Sequence, residues 1–308
     1  MPASLKRKSF LKSTIDFFRH PYYLEKSLDI KWWHKFSGVL KSLSLQFLIV
    51  FPLAIVIGIV SEKVGFKDSS NVLFNFFLDY PIWMIFFLAV VYAPITEELI
   101  FRLILRFSYY RLGFGLSFLV YVLIAILERF FHFSFFNLIS LAVSGESKYL
   151  TIGSYLSIFI FLGILFSLIL KRFLNKDKAE NFYRKNFLYL FYSSALAFGL
   201  IHILNYEEIK TFWYILPLFV LPQFIVGMFI AYVRIHYGLI WGIINHSMYN
   251  AFLLLPVIAV KFINFSRPDS HNIMAISLIT LFFILFGIFL ISLWTYLFVE
   301  YLVLRKKD

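Results

Sequence analysis

Two adjacent glutamates and two arginines stand in the stretch APITEELIFRLILR, residues 93–106, of a chain that is mostly Leu, Phe and Ile. A charged side chain near the middle of a membrane costs about 2.5–3.5 kcal/mol on insertion scales, so such residues need partners or water. Glu98 and Arg102 are four residues apart, share a helix face and can pair, which could also be a purely structural arrangement. Glu97 is rotated away by about 100°. The position of Glu97 therefore predicts a polar cavity, to which other helices contribute the remaining polar side chains.

Proline and a small set of other polar residues indicate where that cavity lies. Pro94 has no N–H for the carbonyl of Val90, which allows a kink at this depth. In FGLIHILN, His202 follows Phe198 by one turn, and in INHSMYN, Asn250 follows His246 by one turn.

A carboxylate, two imidazoles and an amide together suit hydrolysis. The carboxylate can activate water, and histidine or amide donors can stabilise an oxyanion. The same groups could hold a metal, because Glu97, His202 and His246 are a ligand set that suits zinc. Either histidine alone could instead be a hydrogen-bonded packing residue. His132 is a rival for His202, but it has no phenylalanine four residues earlier and no asparagine closely after it.

The composition predicts that these residues lie in a membrane protein. Of 308 residues, 61% are hydrophobic, 21% aromatic and 15% charged, too few charges to cover the apolar surface of a soluble chain. There is no cysteine, which excludes disulfides, thiolate metal sites and a cysteine nucleophile. The net charge of +12 comes from basic residues between apolar runs, so it indicates membrane topology rather than nucleic-acid binding.

The apolar runs predict an all-α fold, a polytopic membrane bundle of about eight transmembrane helices. The predicted spans are 39–60, 81–106, 112–127, 149–170, 187–204, 212–233, 238–260 and 273–303. Residues 130–143 are apolar but short and could be re-entrant or interfacial. Residues 1–36 form a basic cytoplasmic or interfacial segment, and residues 37–308 form the bundle. In the first segment, Leu11, Ile15 and Phe18 share one face of a short surface helix, with a disordered basic tail as the alternative.

The connections between the spans alternate in charge. The N-terminal segment, the stretch 171–186 and the end of the chain are basic, whereas the connection at 205–211 is acidic. By the positive-inside rule, this pattern predicts an integral protein of the cell membrane with both termini in the cytoplasm.

The three motifs together resemble those of the CPBP family, the CAAX proteases and bacteriocin-processing enzymes, also called Abi. The stretch from Glu97 and Glu98 to Arg102 is similar to the EExxxR motif of the family. The stretch that begins at Phe198 and ends at His202 is similar to its FxxxH motif, and the stretch that begins at His246 and ends at Asn250 is similar to its HxxxN motif. The motif core covers about residues 81–260. The resemblance implies an intramembrane endopeptidase whose substrate is a peptide or a membrane protein, which could be lipidated, and whose surroundings are membrane lipid.

The resemblance also assigns roles to residues. It implies Glu97 as the base that activates water, His202 and His246 as catalytic or ligating residues, and Asn250 as the oxyanion donor. Glu98, Arg102 and Phe198 are supports. The cofactor implied is zinc or none, so a metalloprotease and a metal-free glutamate-dependent enzyme both remain open.

One departure from the family pattern is the spacing between Arg102 and His202, which are 100 residues apart. The excess holds two additional spans, near 112–127 and 149–170, which could reshape the path for the substrate.

Two other functions are compatible with the chain. A non-catalytic immunity or scaffold protein would use the same cavity to bind a partner, and a transporter would be expected to have internal repeats and paired broken helices, which the sequence lacks.

Overall fold

The computed structural model describes residues 9–66, 80–131, 148–205, 213–262 and 270–305. These residues contain helices and turns and no strand. The helices are α1 Phe10–Arg19, α2 Trp32–Val64, α3 Ile82–Phe101, α4 Tyr109–Phe131, α5 Lys148–Phe173, α6 Lys176–Ile201, α7 Leu216–Tyr237, α8 Leu239–Phe262 and α9 Ser270–Arg305. The predicted all-α fold is confirmed.

Each of the eight predicted spans coincides with one helix, α2 to α9. Within the described ranges, five helical segments are long and apolar enough to cross a membrane: Trp32–Val64, Ile82–Phe101, Leu156–Phe173, Pro217–Tyr237 and Thr280–Leu304. A shorter apolar stretch, Leu239–Leu255, lies in α8. The number of spans is therefore approximate. His132 and residues 132–143 of the predicted re-entrant piece lie outside the described residues.

The chain divides into two compact units, Met1–Glu98 with Leu188–Asp308, and Leu99–Phe187. In the first unit, helix α7 is the most enclosed of the candidate spans, with 56% of its apolar window buried. Side chains of α2, α7, α8 and α9 form its core: Leu43, Phe47, Val50, Val226, Ile230, Tyr249 and Leu290. Because lipid is as apolar as these side chains, close packing rather than water exclusion holds the helices together.

In the second unit, α4 and α5 pack closely through small residues. A Cβ added to Gly113 would lie 2.2 Å from the Ser167 Oγ, and one added to Gly163 would lie 2.6 Å from the Phe114 ring. Small residues permit such backbone approach between membrane helices. The Ser117 hydroxyl also donates to the carbonyl of Phe159 at 2.9 Å. This pair accounts for the two additional spans between the first two motifs.

The N-terminal residues 10–19 form a helix that packs on the first unit. Ser9 caps it by accepting the Lys12 N–H at 3.2 Å. Leu11 and Phe18 of the predicted face pack against the core, whereas Ile15 is 39% exposed and Phe17 is only 1% exposed. Phe17 lies against Phe191 of α6 and against Tyr232 of α7, with ring centroids 5.3 Å away in both cases. The contacts with α6 and α7, rather than with a lipid surface, decide which side faces inward.

Helix α3 is irregular in the segment that carries the first motif. Residues Phe87–Tyr92 form a π-helical segment, and regular α-helix resumes at Ala93. The helix ends at Phe101, so the prediction of a span reaching residue 106 was too long. Arg102 lies at the helix end, with φ −110° and ψ −11°, and Leu103–Leu105 form a 3-10 turn. Arg102 thus directly follows the helix that carries Glu98, and the pairing of the two side chains stays a prediction.

Candidate active site

One imidazole lies between the two adjacent carboxylates of the first motif. The His246 Nε2 is 3.7 Å from the Glu97 Oε2, and the His246 Nδ1 is 3.3 Å from the Glu98 Oε1. The two glutamates end the part of α3 that belongs to the first unit, and His246 is in the middle of α8. Sequence reasoning had directed only Glu97 toward the histidines, but Glu98 is the nearer of the two.

The two glutamates have different surroundings. The Glu98 side chain is fully buried, whereas the Glu97 side chain is 24% exposed and faces a cavity. Gly242, one turn before His246, also faces Glu98, since a Cβ there would lie in ordinary contact with the Glu98 Oε2 at 3.4 Å. The contact with Glu98 holds the His246 ring so that its Nε2 faces Glu97.

The second motif brings His202 to the same region of the first unit. Helix α6 begins at Lys176, well before the predicted span, and ends at Ile201, so His202 starts a 3-10 turn, His202–Asn205. Its Nδ1 donates to the carbonyl of Phe198 at 2.7 Å, which makes Nε2 the acceptor of the neutral ring. Phe198 is 1% exposed and meets both imidazoles edge-on, at 4.7 Å from His202 and 5.4 Å from His246.

The third motif places an amide beside the irregular part of α3. Asn250 follows His246 by one turn of α8, and its Nδ2 donates to the carbonyl of Ala89 at 2.8 Å. The amide is therefore attached to the π-helical segment.

Glu97, His202, His246 and Asn250 all line one cavity of about 530 Å³ within the first unit. This volume lies in the range of small-molecule and peptide sites. Its walls come from α3, the end of α6, α7 and α8, and the remaining lining residues are Leu88, Ala89, Tyr92, Ala93, Ile201, Asn205, Phe219, Gln223, Val226, Tyr249, Leu253 and Leu254. Arg102 is buried and belongs to the other unit.

Several polar residues near the site had not been identified from the sequence. Asn205, Gln223 and Tyr249 line the cavity. Asn245, the neighbour of His246, accepts a hydrogen bond from Gln46 of α2 at 2.7 Å, and neither side chain has any exposed surface. The signal available was an amide side chain in the middle of an apolar span, in both α2 and α8.

The side chains of the cavity determine whether it can coordinate a zinc ion. A catalytic zinc takes three protein ligands, usually from His, Asp and Glu. Within the described ranges, no three such side chains are grouped so that they could hold a metal ion. The described residues of the cavity therefore do not form a complete zinc site. Elemental analysis of the purified protein measures whether zinc is bound.

The fold and the cavity define the class of the protein, an integral membrane protein whose spans enclose acidic, imidazole and amide groups. Residues 159–252 match the family model described as type II CAAX prenyl endopeptidase Rce1-like. The resemblance to the CPBP and CAAX protease family that the motifs predict is thereby confirmed. The match includes Phe198, His202, His246 and Asn250 and begins after the two glutamates. No curated protein and no solved structure matches the chain significantly.

Proposed function

We propose that the protein is an intramembrane endopeptidase that hydrolyses a peptide bond with a water activated by Glu97. The observation that carries the proposal is the approach of the Glu97 Oε2 to the His246 Nε2, 3.7 Å, at the wall of a cavity that His202 and Asn250 also line. This distance is too long for a direct hydrogen bond and leaves both groups able to contact a water or a substrate oxygen.

In the proposed reaction, Glu97 takes a proton from water while the water oxygen bonds to the carbonyl carbon of the peptide. The resulting oxyanion is stabilised by a donor of the Asn250 amide, which the protein holds in place before the reaction. The C–N bond then breaks, and the proton passes from Glu97 to the leaving amine, so that Glu97 returns to its ionised form. Glu98 and Phe198 position the His246 ring.

The finer features of the substrate and of the membrane arrangement are part of the proposal. The substrate is a peptide or a segment of a membrane protein, with or without a prenyl group on it. Residues 1–36 are the cytoplasmic or interfacial segment, residues 37–308 are the bundle, and both termini are in the cytoplasm of a cell-membrane protein.

The test is cleavage by the purified protein in lipid nanodiscs, followed with quenched fluorescent peptides that end in a CAAX sequence, prenylated or not. We expect Glu97→Gln and His246→Ala each to abolish cleavage, because the first removes the base and the second removes the ring facing it. Both variants should insert in the membrane and purify as the parent does.

Glu180→Gln is the matched control, because Glu180 lies at the surface in a pair with Lys176 at 3.8 Å. It should cleave at the parent rate. Cleavage by pure Glu97→Gln protein at the parent rate would remove the assignment. A cellular phenotype that survives Glu97→Gln would instead favour the non-catalytic immunity or scaffold function.

A further inference from the structure

The π-helical segment of α3 leaves the carbonyl of Ala89 without its usual donor. The N–H of Ala93, which an α-helix would direct to Ala89, bonds instead to the carbonyl of Leu88, five residues back. In the same register of five residues, the backbone N–H of the next residue would bond to the carbonyl of Ala89. That residue is Pro94, which has no N–H.

The amide of Asn250 takes the place of the absent donor. Its Nδ2 lies 2.8 Å from the Ala89 oxygen. A carbonyl oxygen can only accept, so this contact determines which end of the amide faces Ala89. The Nδ2 group carries two hydrogens and one of them points to Ala89. Because Asn250 lines the cavity with Glu97 and His246, the other hydrogen is available to a substrate oxygen there.

We infer that Pro94 is a positioning residue, which orients the Asn250 amide by withholding the N–H that would otherwise occupy the Ala89 carbonyl. The inference rests on the proposed function for its catalytic meaning, since it concerns the oxyanion donor of that reaction. Its structural part, the dependence of the Asn250 contact on Pro94, is separate and can be measured without any substrate.

The dependence follows from the cost of a carbonyl that lacks a donor inside a membrane. In the parent protein, removal of the Asn250 amide leaves the Ala89 carbonyl with no donor. In Pro94→Ala the backbone regains an N–H, so that Ala89 no longer depends on Asn250. The two substitutions should therefore not be additive.

The experiment measures thermal unfolding in nanodiscs for the parent protein, Pro94→Ala, Asn250→Ala and the double variant. We expect Asn250→Ala to lower the Tm of the parent clearly and to lower the Tm of Pro94→Ala by less than half as much. Pro94→Ser, which also carries the N–H, is measured in parallel and should behave as Pro94→Ala does.

Pro52 provides a matched control, because it is also inside a helix, α2, and is exposed. The effects of Pro52→Ala and Asn250→Ala on the Tm should add. Equal Tm losses from Asn250→Ala in the parent and in both Pro94 variants would overturn the inference.

The catalytic part is tested with the quenched prenylated peptide. Asn250→Ala should reduce kcat by about 10²-fold or more, the loss typical of one oxyanion donor. Pro94→Ala should reduce kcat at least tenfold with little change in KM. Unchanged kcat in Pro94→Ala overturns the positioning role. Activity retained in Glu97→Gln overturns the proposed hydrolysis but leaves the Tm result standing, so the two failures are distinguishable.

Discussion

At the scale of single residues, the two adjacent glutamates of α3 have different surroundings. Glu97 lines the cavity and is partly exposed, whereas Glu98 is fully buried against the Nδ1 of His246. Consecutive helical residues point about 100° apart, so one helix can contribute both a group for substrate and a group that supports another side chain. The support is the contact of the Glu98 Oε1 with the His246 Nδ1 at 3.3 Å.

Glu98→Gln is expected to reduce kcat by about 10²-fold with a smaller effect on KM. The amide fills the same space, but it can present a donor as well as an acceptor to the His246 Nδ1 and so no longer selects the tautomer of the ring. Correct protonation of such groups contributes rates of this size. Steady-state cleavage of the quenched peptide in nanodiscs measures the effect. Glu62→Gln, at an exposed position of α2, is the control and should keep the parent kcat. An unchanged kcat in Glu98→Gln would contradict the supporting role.

At the scale of elements, a buried amide pair connects α2 to the helix that carries His246. The Gln46 Nε2 donates to the Asn245 Oδ1 at 2.7 Å, and the Asn245 Nδ2 donates to the carbonyl of Val39 at 3.3 Å. The position of His246 in the site thus depends on the packing of α8 against α2. A polar group left without its partner in this interior costs about 1–3 kcal/mol.

Gln46→Leu and Asn245→Leu should each lower the free energy of unfolding by about 1–3 kcal/mol, because each strands the partner amide. The double variant should lose less than the sum, since no amide is then stranded. Unfolding monitored by circular dichroism against denaturant measures the four proteins. Ser292→Ala is the control. Among the described contacts, the Ser292 hydroxyl donates only to the carbonyl of Ile288, one turn earlier on the exposed surface of α9. Strict additivity of the two Leu substitutions would contradict the coupling.

At the scale of the whole molecule, the sequence's lack of cysteine makes the membrane arrangement directly testable. Single cysteines can be introduced into a chain with no background thiol. By the positive-inside rule, we expect the basic segments to lie on the cytoplasmic side and the acidic connection at 205–211 to lie on the other.

Lys26→Cys and Arg305→Cys should therefore be protected from a membrane-impermeant maleimide in intact cells and should react after lysis. Glu208→Cys should react in intact cells. Mass shift of the purified protein after labelling measures each outcome, and the parent protein, which cannot react, is the control. Labelling of Lys26→Cys in intact cells would contradict the cytoplasmic placement of the N-terminal segment.

The sequence on its own determined the features that are set by local patterns. Apolar runs of span length predicted the helices, because each backbone group in lipid must be satisfied within its own segment. The motifs that contain Glu97, His202, His246 and Asn250 predicted the resemblance to the CPBP family. The predicted end of α3 was too long, because its last residues are as apolar as those of a helix and no proline or glycine marks the change.

The tertiary structure decided which groups meet. The contact of Glu98 with His246, the bond of Gln46 to Asn245 and the bond of Asn250 to Ala89 each join segments that are far apart in the chain. Such contacts depend on helix rotation and on the π-helical register before Pro94. A local sequence pattern predicts that a helix forms but contains no distance to another helix, which is why these contacts required the folded arrangement.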